Sequence, residues 1–224
     1  MYFFYIWETD STQDHSKALR KLHSAHVSFW VQSQNQTFGR GQRGKKWGNF
    51  IGNLFLTGCF LLPEKIAPGQ LSISAGVSLA TILQSFLLNQ QIELKWPNDL
   101  LCDHKKVGGV LIEIEENTIY LGIGINITAH PANTPMPSTH LQAYGFTSIN
   151  TLIEKIIENV PDFKALENFK QIQHAWWMFA KDSISYWRVR EPIEGVVIGV
   201  DEYGQLLIQA KNGEIRKRHQ TFEE

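Results

Sequence analysis

The run Gly39-Arg40-Gly41-Gln42-Arg43-Gly44-Lys45-Lys46-Trp47 holds three glycines and four cations in nine residues and closes on an indole. Glycine lets the backbone approach a ligand and take turns that side chains forbid. The N–H groups it frees can bind phosphate oxygens. Arg40 and Arg43 can make forked contacts to carboxylate or phosphate. Lys45 and Lys46 add point charge, and Trp47 can stack on a flat base or exclude water. A lone Gly-Arg-Gly is as well explained by a solvated basic turn; the density of cations here argues for a phosphate-containing ligand. The Gly-Lys-Ser/Thr ending of a Walker loop is absent.

Lys95-Trp96-Pro97-Asn98-Asp99 is the second constellation. A lysine at the end of an apolar strand is costly unless it meets an anion. The rigid Trp-Pro step fixes where Asn98 and Asp99 point, so these two orient groups or hold a metal; as turn formers they also suit an ordinary strand end. Two glycine pairs follow, Gly108-Gly109 and Gly122-x-Gly124. Glycines within a strand pattern mark close backbone approach, to a ligand or to a neighbouring element. Alternate glycines share one strand face, which predicts a slot floored by backbone, with Ile123 and Ile125 on the other face and Asn126 at the mouth.

These segments need elements to hold them. Tyr2–Trp7 reads as a buried first strand, and Ser11 with Asp14 as a helix start with Ala18, Leu19 and Leu22 facing inward. Strands are expected over 25–31, 53–62 and 92–96. Leu71 to Leu88 carries the helical period. Val107–Glu115 and Thr118–Thr128 read as paired strands around Glu116-Asn117. The three prolines between Ala129 and Thr139 make a loop. Ile149 to Val160 reads as a helix ended by Pro161, with an aromatic helix toward Trp177. From about Ser183 short alternating segments appear around Tyr203-Gly204 and Asn212-Gly213, a hairpin signal.

The chain's 224 residues suit one good-sized domain with a small appendage, and a formal charge of −1 gives no global pull toward nucleic acid or anionic lipid. Cys59 and Cys102 have no metal or redox spacing, which fits a reducing cytoplasm. Cys59 reads as core and Cys102 as part of a turn. The eight histidines show no ligand spacing. No run is long enough to span a bilayer.

Taken in order, Ser11-Thr12, the basic glycine loop closed by Trp47, Lys95 to Asp99, Lys106-Val107-Gly108-Gly109-Val110-Leu111-Ile112-Glu113 and Gly122-Ile123-Gly124-Ile125-Asn126 resemble the biotin protein ligases. The resemblance spans nearly the whole chain. It implies an α/β (α+β) fold of the class II synthetase-like biotin and lipoate ligases: a mixed sheet with flanking helices over residues 1–182. A small C-terminal antiparallel β-barrel over 183–224 would follow. It implies ATP and biotin as substrates, magnesium with the ATP, biotinyl-adenylate as intermediate, and the biotin carboxyl carrier domain of acetyl-CoA carboxylase as partner. No room for a DNA-binding module before the first strand implies no DNA partner; a homodimer is compatible.

By the same resemblance Ser11, Thr12, Gln13 and Gln36 bind biotin, with Gln13 where the family more often has asparagine. Arg40, Gly41 and Gln42 cover the acid. Gly39, Arg40, Gln42, Arg43, Lys45, Trp47, Asn98 and Asn126 face the adenylate. Gly108, Gly109, Gly122 and Gly124 line the slot, and Lys95, with Arg40, carries catalysis. Gln42 and Lys45 stand where relatives have arginine, and the segment after Trp47 is one residue short. A lipoate or octanoate ligase or transferase, or a non-catalytic biotin sensor, is the alternative.

Overall fold

The computed structural model describes residues 1–23, 27–132, 134–161, 166–182, 184 and 194–220. Among these, a seven-stranded sheet is built from β1 (Tyr2–Thr9), β2 (Phe29–Gln36), β3 (Leu54–Leu61), β4 (Ile92–Lys95), β5 (Asp99–Cys102), β6 (Lys105–Glu115) and β7 (Thr118–Ile125). Their order is β1-β2-β3-β7-β6-β5-β4. β1 and β2 run parallel; the other neighbours are antiparallel.

Helix α1 (Thr12–Leu22) lies against β2, β3 and β7. On the sheet's other side α2 (Pro68–Phe86) meets β4, β5 and β6, with α3 (Ile149–Asn159) and α4 (Phe169–Ala180) stacked on it. Pro68 suits the first position of a helix, where its missing N–H costs nothing. Gln70 Oε1 reaches back to accept from Ala67 N at 2.8 Å. The buried stripe Leu71, Ala75, Leu79, Ile82 and Leu83 follows the helical period.

The strand alternation sorts the two faces. Ile119, Leu121, Ile123 and Ile125 of β7 enter the main core with α2. Gly122 and Gly124 point the other way, toward a cavity beside α1. The main core therefore lies on one face of the sheet, and the other face carries the site together with a smaller apolar cluster of Phe29, Val31, Cys59 and Tyr120.

A three-stranded antiparallel sheet, β8 (Val196–Val200), β9 (Leu206–Gln209) and β10 (Ile215–Arg218), follows. Its hairpin turns at Asn212-Gly213, with Gly213 at φ 84° and Ala210 N donating to Glu214 O at 2.8 Å. Val197, Val200, Leu206 and Ile208 join the main core. Trp96 Nε1 donates to Gly204 O at 3.0 Å. This small antiparallel sheet lies where a C-terminal antiparallel unit was expected; the expected boundary at 183, like Ala25 and His26 of the second strand, lies outside the described residues.

Other expectations need correction. β1 is an edge strand rather than a buried one: Tyr2, Tyr5 and Trp7 are all more than half exposed. Apolar composition implies a strand, and pairing on one side only decides its exposure. On α1 the buried residues are Thr12, Gln13 and Ser16, Leu22 is exposed and Leu19 half-buried, because the helix turns its first turn toward the cavity. Cys102 ends β5 and is fully buried. The turn falls one step later, at Asp103 and His104, both at positive φ. His104 N closes it by donating to Glu93 Oε2 at 2.7 Å.

Candidate active site

The cavity, about 670 Å³, is walled by the start of α1, the basic loop, the β4–β5 turn, the glycine face of β6 and β7, and the proline-rich loop. Of the residues singled out in the sequence, Ser11, Thr12, Gln13, Gln36, Arg40, Gly41, Gln42, Arg43, Lys45, Trp47, Lys95, Asn98, Gly109, Gly122, Gly124 and Asn126 all line it. Gly39 and Gly108 do not. A Cβ at Gly39 would strike Gln36 Nε2, so this glycine clears space for a cavity residue. Gly108 faces the opposite side of β6, where a Cβ would lie 2.9 Å from Gly124 O and 3.3 Å from Leu100. Adjacent strand residues point to opposite faces, so Gly108 and Gly109 cannot both open into the slot.

At the start of α1 the polar residues form a chain. Gln36 Oε1 accepts from Thr12 N at 2.9 Å and from Thr12 Oγ1 at 3.1 Å. Thr57 Oγ1 donates to Thr12 Oγ1 at 2.8 Å. Gln13 Nε2 donates to Tyr120 O at 3.2 Å, while its Oε1 is buried with no protein partner. Ser11 is the N-cap residue, yet its side chain makes no capping bond. The hydroxyl is instead approached by Arg40 Nη1 at 3.4 Å. Buried polar groups ordinarily find partners, so the orphaned Gln13 carbonyl marks a place for a donor on a ligand.

The basic loop is a small closed hairpin. Gly41 N donates to Lys45 O at 2.6 Å and Trp47 N to Gly39 O at 2.8 Å, with a 3₁₀ turn over Gln42–Gly44 between them. Arg43 sits in the left-handed region at φ 57°, a conformation uncommon for a residue bearing a side chain. Trp47 folds back over the glycine pair Gly109 and Gly124, which are Cα partners across β6 and β7. Its indole N–H is buried without a protein acceptor. The slot expected above the glycines is thus partly filled by the loop's own tryptophan.

Arg40 does not point freely at an anion. Its Nε donates to Glu113 Oε1 at 2.9 Å and its Nη2 to Glu113 Oε2 at 3.0 Å. Its Nη1 reaches Asp14 Oδ2 at 2.5 Å. Burial disfavours the charge, but these bonds and the carboxylates hold the guanidinium pKa above its ordinary value. Lys17 Nζ also meets Glu113, at 3.0 Å.

A second charged knot lies across the cavity. Lys95, 8% exposed, has Nζ 3.7 Å from Asp99 Oδ2. Lys106 Nζ contacts Asp99 Oδ1 and lies 5.3 Å from the Trp47 ring centroid. Burial would push the Asp99 carboxyl up; Lys106, Lys95 and Lys45 outweigh it and hold the pKa below the usual carboxylate value. Asn98 is tied to the backbone of Val110, donating at 2.6 Å and accepting at 2.9 Å, which suits a structural strut better than a nucleotide contact. Asn126 Nδ2 donates to Thr139 O at 3.0 Å, which ties it to the proline-rich loop.

Several lining residues were not singled out. Lys106 stands at the head of a quoted motif, but its inward aim comes from pairing of β6 with β5. Arg218 arrives from β10, nearly a hundred residues after Gly122, and its guanidinium carbon lies 5.9 Å from the Trp96 ring centroid. Beside the cavity but not in its wall, His130 and His140 at the ends of the proline-rich loop stack with their Nδ1 atoms 2.9 Å apart. No group of three or more His, Cys, Asp or Glu suited to a metal is present among the described residues. Asp99 is a single carboxylate flanked by two lysines, so the donor set does not build a magnesium cage.

With a cationic loop, two lysines on one carboxylate and a glycine-floored slot, the site suits an anionic ligand with a flat part. The family model of the biotin/lipoate A/B protein ligases matches residues 5–128, and the chain belongs to that family. A biotin–[acetyl-CoA-carboxylase] ligase of Paracoccus denitrificans is 29% identical over 236 aligned positions, covering 92% of this chain and 93% of that protein. The bifunctional ligase/repressor BirA of Escherichia coli is 28% identical over 79% of this chain, which spans only 60% of its length. Among solved structures, the biotin protein ligase of Aquifex aeolicus in complex with biotin and ATP aligns at 25% identity and TM-score 0.67, covering 96% of this chain and 94% of that one. An arginine-to-glycine variant of the Aquifex enzyme in complex with biotin aligns at 25% identity and TM-score 0.73, over 97% and 95%.

Proposed function

We propose that this chain is a biotin protein ligase that joins biotin to AMP and then passes it to a lysine of a carrier domain. The observation that carries the reading is the convergence of Lys95, Lys106 and the basic loop on one cavity whose far end is the polar start of α1. Relatives along nearly the whole chain support it.

In the first step a carboxylate oxygen of biotin attacks the α-phosphorus of ATP. The bond to the bridging oxygen breaks and pyrophosphate leaves. Negative charge grows on the phosphoryl oxygens, and positioned ammonium groups stabilise it in a water-poor site. Lys95 and Lys106 are suited to that task. Asp99 meets both ammonium groups and keeps the two side chains aimed inward. Ser11, Thr12 and Gln13 offer donors and acceptors to the ring end of the acid, with Gln36 fixing Thr12. Trp47 shields the adenylate or stacks on its base, and Arg43 and Lys45 meet its phosphates. Arg40 and Gly41 close the wall over the acid.

In the second step a lysine amine attacks the acyl carbon, the bond to the phosphate oxygen breaks, AMP leaves, and the nitrogen sheds a proton to solvent. Magnesium would arrive on the triphosphate rather than in a protein cage. The carrier is that of acetyl-CoA carboxylase on this reading, and the compartment is the cytoplasm. Buried free thiols at Cys59 and Cys102, and no described helix long and apolar enough to cross a membrane, agree with it.

The test is pyrophosphate release with ATP and either biotin or lipoate, followed by carrier labelling. Release driven by biotin alone, with label on the carrier lysine, is the expected result. Release driven by lipoate moves the assignment to the other branch of the family, and release with neither acid removes it.

A further inference from the structure

β4 and β1 close the described strand order of the main sheet at its two ends. β4 is four residues long, buried throughout and ended by Lys95. β1 is eight residues long and carries neither lysine nor proline, the residues that ordinarily keep a sheet edge from pairing. Its side chains sort by alternation. Phe4 and Ile6 pack against the small cluster of Phe29, Val31, Cys59 and Tyr120. Phe3, Tyr5 and Trp7 share the opposite face and are 44%, 55% and 66% exposed. Beside them on β2 stand Gln32, the register partner of Tyr5, and Gln34, whose Oε1 accepts from Tyr5 Oη at 3.4 Å. The outer row of β1 is thus an aromatic stripe bordered by amides, on an edge with no described strand beyond it.

We propose that β1 pairs edge to edge with β1 of a second copy of this chain, antiparallel about a two-fold axis at Tyr5. In that register Tyr5 meets its own copy, Phe3 meets Trp7, Phe4 meets Ile6 and Tyr2 meets Glu8, and the two-fold makes each unlike contact twice. Every member of the stripe gains an aromatic cross-strand partner. Glu8, the one charge of the strand, meets a tyrosine and not its own copy. Centred instead on Ile6, the pairing would set Phe3 against Thr9 and Phe4 against Glu8. The open parts of Tyr2, Phe3, Tyr5 and Trp7 come to about 450 Å² per copy, taking roughly 200 Å² for a whole aromatic side chain. Two copies therefore remove about 900 Å² before the backbone edges are counted, which brings the pair to the roughly 1,000 Å² of a small specific interface. An interface of that size makes a weak dimer that forms as concentration rises. No residue of β1 lines the cavity, so both sites stay open in the pair, and the inference does not depend on which acid the site takes.

The experiment is sedimentation velocity on the full chain from low to high micromolar protein, with circular dichroism to show that each variant folds. Wild type is expected to pass from monomer to dimer across that range. Tyr5→Lys removes an aromatic pair and sets two like charges against each other on the axis, which should raise the dissociation constant roughly tenfold or more. Tyr5→Glu should do the same. Mixing the two variants should restore a dimer, because the axis then opposes unlike charges. Cysteine substitution reads the register. Tyr5→Cys should cross-link to itself on mild oxidation, since facing Cα atoms about 4.5–5.5 Å apart lie within disulfide reach. Phe3→Cys should not, yet it should cross-link to Trp7→Cys when the two are mixed. A wild type that stays monomeric at every concentration would overturn the proposal, and if Tyr5→Lys then slowed carrier labelling the face would belong to the carrier. A dimer that survives Tyr5→Lys, or cross-linking of Phe3→Cys to itself instead of to Trp7→Cys, would overturn it as well.

Discussion

The indole of Trp47 occupies the space that a side chain at position 124 would need: a Cβ built on Gly124 would lie 2.5 Å from Trp47 Cε2 and 2.9 Å from its Nε1. Gly109, the cross-strand partner of Gly124, is 3.6 Å from the same ring by that measure. Two glycines on neighbouring strands therefore make a seat for a loop tryptophan. The floor of the slot and the loop above it are in direct contact.

Gly124→Ala should unseat Trp47 while leaving the sheet intact, since the clash is with a loop side chain and not with backbone. The expected outcome is a rise in KM for ATP of roughly fivefold to tenfold, the scale of one aromatic contact. Trp47→Ala should give a similar rise, and adding Gly124→Ala to it should change little. Steady-state kinetics on the three variants checks this. A double variant markedly worse than Trp47→Ala would mean that Gly124 acts on something other than the indole.

Gln42 lines the cavity at the start of the 3₁₀ turn and carries no charge where the family resemblance implies an arginine. Gln42→Arg should slow the release of biotinyl-adenylate roughly tenfold, as one further charge-assisted bond would. Release from enzyme loaded with labelled adenylate measures it directly. Equal rates for the two proteins would show that position 42 does not face the bound adenylate.

Much of this site was legible because its chemistry is carried by short local runs. The basic loop, Lys95 and the glycines on β7 announce themselves by type and spacing, and period-two alternation places Gly122 and Gly124 together. What was not legible depends on pairing between distant segments. That Gly109 faces the slot and Gly108 the core follows from the register of β6 against β7, not from a glycine pair. That Arg40 meets Glu113 joins residues 73 positions apart in the chain. The exposure of β1 follows from its place at the sheet edge, which an apolar sequence does not reveal. Arg218 belongs to the site only because the small sheet is docked through Trp96 and Gly204.

On the proposed reading Lys95, buried beside Asp99, is the cation that meets the growing phosphoryl charge. Lys95→Ala should lower adenylate formation by two orders of magnitude or more, the usual cost of removing a positioned group that stabilises developing charge. Asp99 would keep Lys106, so the fold should survive, with unchanged circular dichroism as the control. Normal pyrophosphate release from a folded Lys95→Ala protein would refute the role given to this lysine.

Asp99 links the site to stability through pH. Its carboxyl is ionised more readily in the folded protein than in the unfolded chain, because Lys106, Lys95 and Lys45 outweigh the cost of burial. A depressed carboxyl contributes its stabilisation in full above the ordinary aspartate value near pH 4, and loses it as pH falls through the folded value below that. Asp99→Asn removes the charge at every pH and leaves Lys95, 9% exposed in its side chain, facing a neutral amide. The variant should be less stable than wild type by about 2 kcal/mol at pH 7, the scale of a buried charge-assisted bond. The gap should stay constant down to about pH 4 and then close on further acidification, as wild type loses the same charge. Urea unfolding of both proteins from pH 7 to pH 3 would trace it. A gap that closes well above pH 5 would mean that the lysines do not control this carboxyl, and with it that Asp99 is not what keeps the two ammonium groups in place.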